Sequence, residues 1–448
     1  MNGATSMART DEAGIGAVLA NRNFVMLWMA QVLSQTAQNA IFYAFIVNVE
    51  HVTGSSLHTG VLIISMILPS IFFGIPAGVY VDRWNKKAVL VFSNILRAAV
   101  VLAYIPFAQN VVLLYLVNFA FSTIGQFFAP AELAAIATLV PKKQLLAANG
   151  LFNLTLAGSQ MAGFVILGPV LVLFFGLNPF FFWASVIFGL AGVMVGFLPR
   201  MKAATKVAAA DAPASFFSSL GQELRDGWMM LRGDPPILLS LAQVTLGATL
   251  ILVIGMLAPG FATRVIGVSA EDTVFVLAPA GIGVLVGMLT IPRLSGRFTR
   301  RRMVEMGLLG MALSLVLLGI SGRSRGFLFA ILGWSYPGFL ASLVAVTMFL
   351  ALVLGLTFAM FNIPAQTIIQ ERAPAAMRGR VLATQLVLGN TVSMVLLLIL
   401  GGLADLIGVS WVIILLGLLV LVVGILSHYQ GRKLVLTMPE FPEEQPPV

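Results

Sequence analysis

The densest chemistry in the chain sits in Gly78-Val79-Tyr80-Val81-Asp82-Arg83-Trp84-Asn85-Lys86-Lys87, where one acid and three bases share a turn between two long apolar runs. An acid and cations held at the ends of two helices do electrostatic work, not bond making. Asp82 can meet the neighbouring cations and the positive end of an adjacent helix, a contact of about 0.3 to 2 kcal/mol per terminus, small enough to be made and broken. A weaker copy follows 214 positions later: Pro292 to Arg301 carries Arg297, Arg300 and Arg301 in the places of Arg83, Lys86 and Lys87, and Gly296 in the place of Asp82. No nucleophile, base and orienting group occur at a useful spacing, and there is no phosphate-binding loop, so an enzyme is not expected. Cysteine is absent and His51, His58 and His428 are scattered, which leaves no metal or cofactor to expect.

The elements that must position this turn are membrane spans. Of 448 residues 59% are hydrophobic and 10% charged, whereas a soluble domain carries about 25% charge. Mean hydropathy is +1.00. A spanning helix needs about 20 mostly apolar residues. Such runs lie near 24–48, 58–81, 88–108, 111–129, 146–175 and 179–199, and again near 237–262, 273–292, 303–321, 339–361, 381–404 and 410–429. The expected class is therefore an all-α integral membrane protein with twelve transmembrane helices. Residues 200–236 are polar and charged and read as a linker, in which Phe217, Leu220, Leu224, Trp228 and Leu231 recur at three- and four-residue steps. That spacing predicts an amphipathic helix lying on the membrane or on the bundles. Segment 326–338 is open between a longer helix, a re-entrant segment and a loop.

The formal charge is +9, but its distribution argues against nucleic acid. Of the 26 Lys and Arg, only Arg264, Arg323 and Arg325 fall in one set of alternate loops and Arg97 inside a span; the rest lie in the other loops and the tails. This asymmetry predicts a multi-pass protein of the cell membrane with both termini cytoplasmic, attracted to anionic membrane lipids. Residues 1–20 show no cleavable signal.

The duplication is visible again after the fourth span of each half. Phe128-Ala129-Pro130-Ala131-Glu132 and Val140-Pro141-Lys142-Lys143 correspond to Asn362-Ile363-Pro364-Ala365-Gln366 and Ala373-Pro374-Ala375-Ala376, offset by 234 positions at the first proline and 233 at the second. These segments read as connections. The expected organisation is a tail at 1–21, a six-helix bundle at 22–199, the linker at 200–236, a second six-helix bundle at 237–430 and a disordered tail at 431–448. Two parallel repeats point to alternating access around a midplane cavity.

On these residues the chain resembles the major facilitator superfamily. The turn is similar to its loop signature G-x-x-x-D-R-x-G-R-R at Gly78, Asp82, Arg83, Lys86 and Lys87, with Asn85 in place of glycine. Asn362 to Gln366, Glu371-Arg372 and Arg378-Gly379-Arg380-Val381 resemble the bacterial exporter branch, enterobactin-exporter-like and macrolide-efflux-like. The resemblance implies that the turn is a cytoplasmic gate, with Glu132, Glu371, Arg372 and Arg380 as a matching set. Arg97 lies too deep to be an anchor, so a polar partner inside the bundle is expected. Gly168-Pro169 is similar to part of the glycine-proline signature of antiporters, although Phe164 and Val172-Leu173 depart from it. A helix bend or plain packing explains the pair equally well.

The same resemblance implies that spans one, four, seven and ten line the cavity. They offer Gln31, Gln35, Gln38, Asn39 and Tyr43; Asn118, Ser122 and Gln126; Gln243, Thr245 and Thr249; and Met360 and Asn362. These groups are neutral and stand among aromatic and methionine side chains, with no Arg or Lys in the four spans, which suits an amphiphilic solute better than a sugar phosphate. Each Asp and Glu reads as lying at a span end, in a loop or in a tail. Glu50 and Glu132 are the candidates for proton coupling, and facilitated movement of the substrate is equally compatible. The expectation is a monomeric secondary carrier that exports a drug-, macrolide- or siderophore-like molecule. A lipid or lysophospholipid flippase of the same fold and a transport-inactive membrane scaffold remain as alternatives.

Overall fold

The structure is a computed structural model describing residues 14–201, 232–269, 273–323, 336–374 and 377–437, together with 225, 228 and 229. Most of the predicted linker helix and most of 326–338 lie outside the described residues. Among the described residues, a short helix at Ile15–Leu19 is followed by twelve long helices in chain order: α1 Arg22–Thr53, α2 Ser56–Arg83, α3 Lys86–Tyr104, α4 Val111–Leu139, α5 Leu145–Phe175, α6 Leu177–Gly196, α7 Pro235–Ile266, α8 Val274–Leu294, α9 Arg300–Arg323, α10 Tyr336–Arg372, α11 Arg378–Ile407 and α12 Val409–Thr437. Two of them contain π-helical stretches, Met161–Leu167 in α5 and Phe261–Ile266 in α7. Hydrocarbon offers no hydrogen-bond partners, so an apolar run of this length satisfies its backbone internally by coiling.

Local chemistry sets the ends. Asn21, Ser55, Asn85 and Asn110 each accept a hydrogen bond from a backbone N–H in the first turn of α1, α2, α3 and α4, the usual work of an N-cap side chain. Asn85, which replaces the signature glycine, therefore starts α3. Gly54 closes α1 at φ 58°, a conformation open to glycine at little cost.

Ten helices among the described residues have the length and hydropathy to cross a membrane. The other two of the expected twelve are α1, whose mean is lowered by its glutamines and asparagines, and α8, which has a shorter apolar stretch, Ala278–Leu294. Two expected connections are corrected. Pro130 lies inside α4 and Pro364 inside α10, and both helices run on, to Leu139 and Arg372. Beyond each proline the helical face is still docked, through Ala131, Ala135 and Ile136 in α4 and Ala365 and Ile369 in α10, all buried. Neighbouring packing of this kind lets membrane helices tolerate proline. The last helix also reaches Thr437, past the expected end of the bundle at 430, through Gln430, Arg432, Lys433, Leu434 and Leu436, types with high helix propensity.

Contact density separates two compact units. The first comprises residues up to 211 with 252–278 and 394–406; the second comprises 212–251, 279–393 and the residues from 407 onward. In the first unit, Phe24, Leu27, Leu90, Phe128, Phe152 and Val195 are among the residues of one buried apolar cluster joining α1, α3, α4, α5 and α6.

Candidate functional site

In the first unit α2 ends at Arg83, and Asn85 restarts the chain as α3. Asp82, Arg83, Trp84 and Asn85 are exposed, and Lys86 is buried. The Lys86 Nζ donates to the backbone oxygen of Asp82 at 2.8 Å and the Lys87 Nζ to that of Leu198 at 2.6 Å. The turn is thus tied down by its lysines, while the Asp82 carboxylate and the Arg83 guanidinium make no hydrogen bond or ion pair among the described residues. Gly78 is half-buried, and a Cβ there would meet nothing within 4 Å.

Arg97 and Glu132 form a different kind of site. Phe121, Gly125, Phe128 and Glu132 recur at three- and four-residue steps, so they share one face of α4, and Arg97 of α3 lies against it. Its guanidinium carbon is 5.5, 4.9 and 5.8 Å from the ring centres of Phe121, Phe128 and Phe188, within cation–π range. Gly125 makes room, because a Cβ there would stand 2.8 Å from an Arg97 terminal nitrogen. Arg97 is 1% exposed and Glu132 0%. Glu132 follows Phe128 by one turn on the same face, yet neither Glu132 oxygen has a hydrogen-bond partner, nor do the Arg97 Nε and one terminal nitrogen. On the same side of α3, Asn94 accepts from the Ser34 hydroxyl at 3.0 Å and leaves its own amide nitrogen unpartnered. Glu132 is therefore not at a span end, because α4 continues through Pro130 and carries it inside the bundle.

A third set lies at the α1–α2 end. Asp405 of α11 accepts from the Ser55 hydroxyl at 2.5 Å and from the Ser56 and Leu57 backbone N–H groups at 2.8 and 3.0 Å, so it caps the first turn of α2. Arg264 pairs with Asp405 at 3.0 Å and with buried Glu50 at 3.3 Å, and also donates to the Ser56 hydroxyl. Glycines allow the approach: a Cβ on Gly401 would stand 3.0 Å from the Leu57 Cα, and one on Gly260 would collide with Arg264. Sequence reasoning placed these charges singly and did not join them. The available signal was that Arg264 is one of very few cations in its set of loops.

The expected cavity residues divide by what they bond. Gln31 is buried and donates to the Phe152 backbone oxygen at 3.5 Å, and the Asn39 amide returns to the Gln35 oxygen in its own helix at 2.8 Å. Asn118 ties α4 to α2 through the Leu62 oxygen and the Ser65 hydroxyl at 3.1 and 2.7 Å. Gln126 donates to the Ser122 backbone oxygen at 3.4 Å. Tyr43 is fully buried and meets Phe164 edge to face with ring centres 6.1 Å apart. Gly168 lies where a Cβ would be 3.0 Å from the Tyr43 Cβ, and Pro169 opens the regular helix that follows the π-helical stretch. Three buried acceptors among them are left without partners, the Gln38 and Asn118 side-chain oxygens and the Ser122 hydroxyl. Phe42, one turn after Gln38, and Phe121, next to Ser122, meet edge to face with ring centres 6.0 Å apart.

In the second unit, Gln243 donates to the Ser427 hydroxyl at 2.7 Å and Thr249 shares a 2.8 Å hydrogen bond with Ser393. Met360 and Asn362 are half-buried, and the Asn362 amide occupies the space a Cβ on Gly247 would need. Arg300 pairs with Glu371, Arg301 with Glu305 at 2.8 Å, and Arg372 with Asp234 at 3.2 Å. Arg297 is exposed. Arg380 lies in α11, and its side chain is outside the described residues.

A family model described as Major Facilitator Superfamily matches residues 27–324. The chain is 26% identical over 385 residues to "Uncharacterized MFS-type transporter YfiS" of Bacillus subtilis (strain 168), a match covering 85% of this chain and 86% of that protein. It is 32% identical over 139 residues to "Uncharacterized MFS-type transporter YkuC" of the same strain, covering 30% of this chain and 32% of that one. Among solved structures it is similar to the nucleoside transporter NupG, with a TM-score of 0.68 at 13% identity over 92% of this chain and 99% of that one. A bacterial homologue of the human lysosomal transporter Spinster, in an inward-facing and unoccupied conformation, aligns with a TM-score of 0.66 at 12% identity over 92% and 97% of the two chains. At these identities the structural likeness speaks to the fold alone.

Proposed function

The chain belongs to the Major Facilitator Superfamily, and from that premise we propose that this membrane transporter exports a hydrophobic or amphiphilic small molecule by alternating access, driven by proton antiport. The observation that carries the substrate class is the patch formed by Gln38, Phe42, Phe121 and Ser122. It holds two buried, unpartnered neutral acceptors beside an aromatic pair. A solute with an apolar body and a few hydrogen-bond donors fits such a surface. A sugar phosphate would need cations that α1 and α4 do not carry between residues 24 and 129. The resemblance of the 362–380 region to exporters supports the direction.

Proton coupling is assigned to Glu132. It is completely buried without a hydrogen-bond partner, and an ionisable group held in that way inside a membrane protein is a candidate relay. The Gly78–Lys87 turn is assigned to the gate, with both termini cytoplasmic, the protein a monomer of the cell membrane, and Asp82 free to find different partners in different states.

The test is transport into and out of proteoliposomes with a panel of dyes, macrolides, siderophores and lysolipids, with and without an imposed pH gradient. Accumulation of a dye or macrolide against its gradient only when a pH gradient is imposed is the expected result. Movement of lysolipids alone would replace the solute with a lipid, and gradient-independent equilibration would remove the antiport. Gln38→Leu is expected to lower affinity for the transported solute by about tenfold, the loss of roughly one hydrogen bond; an unchanged affinity would remove the patch from the site.

A further inference from the structure

We propose that a groove on the first unit, walled by α2, α3, α4 and the end of α6, holds an anionic phospholipid. The inference goes beyond the transported solute and does not depend on it. The groove encloses about 1250 Å³, more than the roughly 300–1,000 Å³ of an ordinary small-molecule pocket. Arg83, Lys87 and Arg200 stand at one end of it. Arg83 and Arg200 are exposed, and neither makes a hydrogen bond or ion pair among the described residues. Lys87 is held at the same end by its bond to the Leu198 oxygen.

The remaining wall is apolar. Phe92, Ile95 and Leu96 of α3 face Ile124 and Phe127 of α4 across it, and Phe92 is 68% exposed. From Lys87 to Leu96 a helix rises about 14 Å at 1.5 Å per residue, close to half of a hydrocarbon core of about 30 Å. The cations therefore sit at headgroup depth and the apolar wall spans one leaflet. Ordinary annular lipid accounts for the wall, but not for an ammonium and two guanidinium groups, unpaired among the described residues, that line it as well. Guanidinium groups bind phosphate through paired, charge-assisted hydrogen bonds, so the complement of this groove is an acyl chain with an anionic head.

Trp84 makes the groove testable. It lines the mouth, is about half exposed and stacks on Phe127 with ring centres 6.1 Å apart. The full chain is reconstituted in phosphatidylcholine bilayers containing a minor fraction of dibrominated phosphatidylglycerol or the same fraction of dibrominated phosphatidylcholine. The Trp84 signal is the fluorescence difference between the unmodified chain and Trp84→Phe. Brominated phosphatidylglycerol is expected to quench Trp84 preferentially. Arg83→Gln combined with Arg200→Gln is expected to reduce the relative association constant about 30-fold, at roughly fivefold per charge near a membrane surface. Arg83→Lys with Arg200→Lys, which keeps the charge, should retain most of the preference. Equal quenching by the two lipids, or a preference that survives in the Gln variant, would overturn the proposal. So would displacement by inorganic phosphate, or a Trp84 shielded from both lipids by a second copy of the chain.

Discussion

Asp405 commits its carboxylate oxygens to Ser55, Ser56, Leu57 and Arg264, whereas Glu132 gives neither of its oxygens to a donor of the protein. Both acids answer an arginine within the first unit, but they do so by different physics. The Asp405 set is directional: each contact has a short distance and a defined donor, and three of them organise the first turn of α2. In the Arg97–Glu132 set the guanidinium lies among three phenylalanine rings and the carboxylate accepts no hydrogen bond. Directed contacts hold one arrangement, because giving it up leaves donors and charges unanswered. An undirected pair in an apolar box holds charge balance, and its protonation can change without dismantling a network. This difference separates a set of directed bonds that fixes the first turn of α2 from a buried pair that no directed bond holds.

The sharpest way to break the comparison is Arg97→Met. Removing one member of a buried charge pair leaves the other uncompensated, and a loss of about 3–5 kcal/mol in unfolding free energy is expected. Adding Glu132→Gln to the same chain should restore most of it; a chain indifferent to Arg97→Met would mean that no buried charges face each other there. Asp405→Asn comes next, with an expected loss of about 2 kcal/mol from weakened bonds to a charged acceptor. A double-mutant cycle with Arg264→Gln should give clear coupling, and additive effects would dissolve the set.

Gly125→Ala tests the box around Arg97 more gently. Its Cβ would stand 2.8 Å from the guanidinium, and the strain should cost about 1 kcal/mol, visible as a lower melting temperature that Arg97→Met abolishes. Asp82→Asn is the smallest effect on stability, within about 0.5 kcal/mol because the group is exposed and unpartnered. Transport should nevertheless fall by about tenfold or more, a rate change equivalent to about 1.4 kcal/mol. Unchanged transport would take the turn out of the gate.

Much of this architecture is legible in the sequence, for reasons that stay local. The apolar runs are legible as helices because span length and backbone satisfaction operate within one segment. Asn85 and Asn110 are recognisable as helix starters by type and place. Pro130 and Pro364 mislead, since proline reads as a break when the packing of Ala135 or Ile369 is not yet known. Among the amides, nothing in the sequence tells that the Asn118 nitrogen is spent on α2 while the side-chain oxygens of Asn118 and Gln38 are both left unpartnered.

The chain alone thus determines an all-helical membrane protein, its duplicated plan and the charged Gly78–Lys87 turn, because hydrophobic length, helix period and capping act over a few residues. Only the tertiary structure decides that Asp405 caps a helix whose first turn lies 349 positions away, that Arg97 is boxed by α4 and α6, and that Arg83 and Arg200 close one end of a groove. Charges interact through space and not along the chain, so no periodicity in the sequence records which acid a base will find.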